Sequence, residues 1–126
     1  MVNLQTLDLL QESFGDDGGA TLDDVLGNFI QESPGQLKQI EEAVLTEAAV
    51  ALVKTVHHLR GSAKTLGFDE LGYRCDSLES IAREGCLVTA KAVFRDLQEA
   101  FRRVMSLIPS ERERRRSKSY APGETP

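Results

Sequence analysis

Apolar residues recur along most of the chain at steps of three and four, which is the spacing of an amphipathic α-helix. No segment of six or more residues strictly alternates apolar and polar residues, a pattern that is typical of a half-buried β-strand. The longest apolar stripes lie within residues 22–44, 52–66, 68–81 and 93–108. The pattern therefore predicts four long helices and no sheet.

Glycine, proline and capping residues separate these stripes. The Gly-Asp-Asp-Gly-Gly cluster at 15–19 follows a short N-terminal stripe and is expected to break the chain. Thr21 is expected to cap the second helix, and Pro34 falls inside the second stripe without changing its phase. We therefore expect one helix kinked at Pro34. Gly67, Gly85 and Pro109 are predicted to end the third, fourth and last helices.

Short connections between long amphipathic helices favour antiparallel neighbours. The predicted fold is therefore all-α, an antiparallel up-and-down four-helix bundle with a short extra N-terminal helix. We expect the bundle to span residues 1–108. Residues 109–126 are rich in Arg, Ser, Lys, Gly and Pro and are predicted to form a basic, disordered tail. A chain of 126 residues has room for one such domain.

Charge and composition exclude several classes of function. Residues 1–108 carry 10 Lys and Arg against 17 Asp and Glu, and this acidic body argues against a nucleic-acid-binding domain. No stretch approaches the ~20 apolar residues of a membrane-spanning helix. Cys75 and Cys86 have neither CxxC nor zinc-site spacing, so we expect both reduced, with no bound metal. We expect a cytoplasmic protein, nucleocytoplasmic in a eukaryote, that is monomeric because each stripe has a partner.

The chain has two histidines, His57 and His58, and the helical pattern separates their positions. Successive helical residues turn by about 100°, so the apolar residues of this helix face the core while His57 faces away from it. Arg60, Gly61 and Lys64 lie on the same outward face as His57, and His58 lies at its boundary.

Gly61 needs a reason, because glycine inside a helix costs about 1 kcal/mol relative to alanine. One reason is access, since Gly61 leaves a bare approach to the imidazole of His57 one turn earlier. Arg60 and Lys64 would offset negative charge on or near that ring. Together these features suit a histidine that accepts a phosphoryl group. The alternative is a solvated helix face; a metal pair with His58 is disfavoured, because adjacent helical residues diverge by about 100°.

Residues 57–67 read His-His-Leu-Arg-Gly-Ser-Ala-Lys-Thr-Leu-Gly. This segment resembles the signature of histidine-containing phosphotransfer (HPt) domains, which is His-x-Leu-(Lys/Arg)-Gly-Ser followed by a small residue and a Leu-Gly stop. The resemblance covers about residues 20–108. It implies that His57 accepts a phosphoryl group from a receiver-domain aspartate or a histidine kinase and passes it to another receiver. It also implies that the receiver supplies Mg²⁺, so that the chain needs no cofactor.

The same resemblance implies roles for five further residues. Arg60 and Lys64 match the basic residues beside the phosphate. Gly61 matches the small docking position, and His58 stands at a variable position of the motif, where it would contact the receiver. Glu79 falls on the facing helix, where relatives place Gln or Glu to hydrogen-bond the imidazole. For Glu79 a surface charge or ion pair is the alternative interpretation.

Three functions remain open at this point. The first is a phosphorelay carrier without autokinase activity or a nucleotide site. The second is a helical adaptor that binds a receiver or a kinase but transfers no phosphate. The third is a phosphotransfer domain excised from a larger chemotaxis-type or hybrid kinase.

Overall fold

The computed structural model describes residues 2–119, with side chains through residue 115. Five α-helices follow one another along the chain, with a 3₁₀ turn at Gly15–Asp17 between the first two. They are α1 (Leu4–Ser13), α2 (Gly18–Leu45), α3 (Ala49–Thr65), α4 (Asp69–Glu84) and α5 (Leu87–Ser119). Residues 2–119 contain no β-strand, apart from one isolated bridge between Val2 and Phe68. The prediction of an all-α bundle is confirmed.

The four long helices pack in a ring, in which α2 contacts α3, α3 contacts α4, α4 contacts α5 and α5 returns to α2. Short α1 packs against α2. The predicted stripes supply the core, and Phe29 of α2 meets the ring of Phe68 edge-on with 5.1 Å between centroids. Fully buried side chains from every long helix include Leu22, Leu26, Leu52, Leu59, Leu71, Leu78, Leu97 and Ile108.

Helix boundaries follow the predicted signals in most places. Helix α2 continues through Pro34 as a single helix. Gly67 and Gly85 adopt left-handed backbone angles, with φ of 76° and 77°, and follow the ends of α3 and α4. The prediction that Thr21 caps α2 is wrong, because the helix already begins at Gly18. A Cβ at Gly18 would overlap the backbone oxygen of Gln11, so the first residue of α2 packs closely against α1.

The predicted helix stop at Pro109 is also wrong. Helix α5 runs through this residue to Ser119, although proline removes one backbone donor and usually costs about 3 kcal/mol inside a helix. Residues 109–119 are therefore helical rather than part of a disordered tail. Residues 120–126, the rest of the predicted tail, lie outside the described residues.

Ion pairs hold this extension of α5 against the bundle. Arg112 donates a 2.8 Å hydrogen bond from Nε to Asp23 of α2. Arg115 is only 1% exposed and lies 2.8 Å from Asp8 of α1 and 2.6 Å from Glu111. Tertiary contacts thus compensate for the backbone bond that Pro109 cannot make, and the local sequence signal does not reveal them.

Three further features of the described residues concern membrane spans, metal sites and cysteines. No helix among residues 2–119 is long and apolar enough to cross a membrane. The described residues contain no cluster of three or more His, Cys, Asp or Glu suited to a metal ion. Cys75 is buried in the core and Cys86 is exposed, and both are unpaired. Burial raises the pKa of the Cys75 thiol to about 12, so this cysteine is an inert core residue.

Candidate functional site

The apolar face of α3 determines where its histidines point. Leu52, Val56 and Leu59 are completely buried, and they anchor one side of α3 against the core. His57 consequently lies on the opposite side, where its side chain is 64% exposed. Helix α4 packs alongside α3 and brings Glu79 next to the ring.

The Nδ1 atom of His57 faces two groups that require different tautomers. It lies 3.5 Å from Oε1 of Glu79 and 3.3 Å from Nη1 of Arg60. A guanidinium can only donate, so a bond from Arg60 needs an unprotonated Nδ1, whereas the carboxylate needs Nδ1–H. Oε1 of Glu79 is buried without a well-formed hydrogen bond among the described side chains, and Nη1 of Arg60 lies as far from it as Nδ1 does, at 3.5 Å. Arg60 can pair with the carboxylates of Glu79 and Asp76 and does not need Nδ1 as an acceptor. Because an unsatisfied buried acceptor is costly, the arrangement favours the tautomer with the proton on Nδ1 and the lone pair on Nε2.

Glu79 is held as a carboxylate. Its side chain is 11% exposed, and Arg83 donates two hydrogen bonds to Oε2, of 2.8 and 3.2 Å. Burial raises the pKa of Glu79, but the hydrogen bond from Arg83 and the positive charges of Arg60 and Arg83 lower it more. The net pKa lies below the ordinary value of 4.5, so Glu79 is a negative acceptor for the ring at neutral pH.

The two cations predicted beside the ring both pair with a carboxylate that was not predicted. Nε of Arg60 lies 2.5 Å from Oδ1 of Asp76, and Nζ of Lys64 lies 2.8 Å from Oδ2 of the same residue. Arg60 also reaches the ring, as described above, whereas Lys64 is held at Asp76. Asp76 and Glu79 are three residues apart and share one face of α4. The three-residue spacing is the signal in the sequence that places Asp76 beside the predicted Glu79.

Gly61 and His58 lie toward α2, on the other side of His57 from Asp76. An added Cβ at Gly61 would meet no described atom within 4 Å, so this position is open as predicted. Gly61 lines a groove of about 360 Å³ between α2 and α3, together with residues such as Gln36. His58 lines a neighbouring groove with Lys54 and Gln36. Both predicted docking residues therefore border the α2–α3 surface.

Comparisons with known proteins agree with this arrangement. Residues 24–107 match the family model of the Hpt domain. This match covers about two thirds of the chain, and the chain belongs to the HPt family. The fold is similar to the crystal structure of histidine-containing phosphotransfer protein B (HptB) from Pseudomonas aeruginosa PAO1. The TM-score is 0.79 and the sequence identity is 29%, over 90% of this chain and 95% of that one. No curated protein matches the chain.

Membership of the family establishes the general class of function. HPt domains are phosphocarriers rather than kinases, and they work in phosphorelays with receiver domains as partners. The family predicted from the motif at residues 57–67 is thereby confirmed.

Proposed function

We propose that this chain is a phosphorelay intermediate that accepts a phosphoryl group on Nε2 of His57. The donor is a receiver-domain aspartate or a histidine kinase, and the acceptor is an aspartate of another receiver. One observation carries the proposal: the exposed imidazole turns Nδ1 toward a buried carboxylate of Glu79. Nε2 is left at the accessible edge of the ring with its lone pair available for attack.

The transfer step balances without a separate base. The lone pair of Nε2 attacks phosphorus in line, and the bond between phosphorus and the aspartyl oxygen breaks with its electron pair on the carboxylate. Nδ1 keeps its proton against Glu79, so the ring of His57 neither loses nor gains a proton. Arg60, 3.3 Å from the ring, offsets negative charge near the incoming group. Mg²⁺ and the other catalytic groups belong to the receiver, and this chain needs no cofactor of its own.

The receiver is expected to dock over the α2–α3 surface. Gly61 leaves space for the partner to approach the ring closely, and His58 borders the same surface. In this proposal the chain acts as a monomer, without autokinase activity. We propose that it acts in the cytoplasm, or in the cytoplasm and nucleus of a eukaryotic cell.

Label transfer tests the proposal. A receiver domain phosphorylated on its aspartate is mixed with the chain in the presence of Mg²⁺, and the label on the chain is measured. We expect acid-labile, alkali-stable label that His57→Gln abolishes. The neighbouring variant His58→Gln is the matched control and should retain the label on His57, although weaker docking would slow its arrival.

Two outcomes would contradict the proposal. Label that disappears with His58→Gln and survives His57→Gln would show that His58, and not His57, accepts the phosphoryl group. Binding of several receivers without any transfer would instead support a helical adaptor.

A further inference from the structure

We propose that Asp76, which Lys64 also holds, competes with the phosphoryl group for Arg60, and so favours release of the phosphoryl group from the phosphohistidine of this chain. Asp76 is then a positioning residue that acts through the two cations and does not touch the ring. This inference rests on the proposed function at His57 and adds to it a residue that sets the balance between holding and releasing phosphate.

The contacts of Arg60 show the competition. Its Nε lies 2.5 Å from Asp76, and its Nη1 lies 3.5 Å from Glu79 and 3.3 Å from Nδ1 of His57. The cation nearest the ring is thus already held by two carboxylates. A phosphoryl group on the ring would have to draw this guanidinium away from Asp76 to gain its full charge-assisted hydrogen bonds.

Lys64 allows Arg60 to leave Asp76 without leaving that carboxylate unpaired. It follows His57 by seven residues, about two turns or 10 Å along α3, whereas Arg60 is one turn away. Arg60 is therefore the cation expected to move toward a phosphoryl group. Lys64, 2.8 Å from Asp76, keeps that carboxylate paired while Arg60 is away.

A charge comparison indicates what Asp76 does for the carrier. Among the described side chains of this cluster, three cations (Arg60, Lys64 and Arg83) face the carboxylates of Asp76 and Glu79. The surplus is one positive charge. Phosphorylation adds about one negative charge to the site, because the phosphoryl oxygens carry about two negative charges and the ring, still protonated on Nδ1, becomes positive. Without Asp76 the surplus would rise to two positive charges, and the site would hold the phosphoryl group more strongly. A carrier needs the opposite, because it must return the group to an aspartate.

The replacement Asp76→Asn tests this role while preserving the shape of the side chain. The readout is the equilibrium between phosphorylated chain and one fixed phosphorylated receiver, together with the lifetime of the isolated phosphohistidine. We expect the equilibrium to move about fivefold toward the phosphorylated chain, because removing one partly exposed charge at this range changes the balance by about 1 kcal/mol. High salt should reduce the shift, since it screens exposed charges.

Glu70→Gln is the matched control. Glu70 also lies on α4 and ties it to another helix, through a 2.7 Å ion pair with Arg103 of α5. If Asp76 merely joins α3 to α4, both variants should lower the free energy of unfolding and leave the phosphoryl equilibrium at its wild-type value. A second test places Asp76→Asn in an Arg60→Gln background, where the shift should become smaller.

The outcomes separate this inference from the proposed function. If wild-type chain and Asp76→Asn are both phosphorylated on His57 with equal equilibria, the role of Asp76 is refuted and the carrier function stands. A shift toward the phosphorylated receiver would also refute it. If no phosphoryl group reaches the wild-type chain, the carrier function fails, and the role of Asp76 fails with it.

Discussion

Replacing Glu79 with alanine tests how the imidazole is prepared for transfer. Oε1 of Glu79 lies 3.5 Å from Nδ1 of His57, and it is the acceptor that favours a proton on this nitrogen. Without the carboxylate, Arg60 can donate to Nδ1 and the ring proton moves to Nε2. The nucleophilic lone pair is then lost from the exposed edge, although the ring remains in place.

The size of the effect follows from the geometry. Hydrogen bonds to charged groups contribute about 1.5–3 kcal/mol. A separation of 3.5 Å between Nδ1 and Oε1 is longer than an ordinary N–H···O hydrogen bond, so this contact contributes less than that range. We therefore expect a change of about 1 kcal/mol in the tautomer balance, which corresponds to an approximately fivefold slower transfer in Glu79→Ala.

Two measurements check this expectation. Rapid-quench kinetics with a phosphorylated receiver gives the transfer rate, and ¹⁵N chemical shifts of the His57 ring give the tautomer. Glu84→Ala removes an exposed carboxylate from the same helix and should change neither. The reasoning is refuted if the wild-type ring carries its proton mainly on Nε2, or if Glu79→Ala leaves both the tautomer and the rate unchanged.

Three further predictions follow from single residues. Gly61→Ala should raise the free energy of unfolding, measured by thermal unfolding, by about 0.5–1 kcal/mol, because the methyl group enters open space and alanine is the better helix former. Gly61→Gln should still fold but should accept label from the receiver more slowly, and an unchanged rate of label transfer would refute the close approach of the partner. Arg115→Ala should lower the free energy of unfolding in urea by about 2 kcal/mol, because it removes a buried side chain that bonds Asp8 and Gln11 of α1. Arg114→Ala, at a more exposed site, leaves Glu111 paired with Arg115 and should cost under about 1 kcal/mol; equal losses would contradict the packing of residues 109–119. Burial raises the pKa of Glu111 and of Glu79, but hydrogen bonds from arginines lower both pKa values further, to a net position below 4.5. As the pH falls, the unfolded chain therefore takes up protons before the folded chain does, and the free energy of unfolding should decrease below pH 4.5. Urea midpoints measured from pH 6 to pH 3 should decline less in Glu111→Gln, and a profile identical to wild type would contradict this.

Much of the fold can be predicted from the apolar spacing, because each stripe has one obvious way to become buried. Gly67 and Gly85 also mark their helix ends correctly, since left-handed backbone angles favour glycine. The errors have a common physical origin. Thr21 and Pro109 are local signals, and tertiary packing of α1 and of the last turns of α5 overrides them.

The candidate site divides in the same way. His57 and Gly61 are indicated by a motif within one helix, so their shared outward face follows from helical geometry. Asp76 and Arg83 belong to the site through the alignment of α4 beside α3, which apolar spacing does not determine to within one turn. The motif in α3 therefore indicates the two cations beside the ring, whereas only the three-residue spacing of Asp76 from Glu79 points to the carboxylate that holds them.

The most direct test of the central claim is to identify the phosphorylated atom. The chain, labelled with ¹⁵N in its histidine rings, is phosphorylated by a receiver domain with Mg²⁺, and ³¹P–¹⁵N coupling is recorded. We predict coupling to Nε2 of His57, with Nδ1 still protonated and the ring of His58 unchanged. Coupling to Nδ1, coupling to the ring of His58, or no coupling with a receiver that binds the chain would contradict the account.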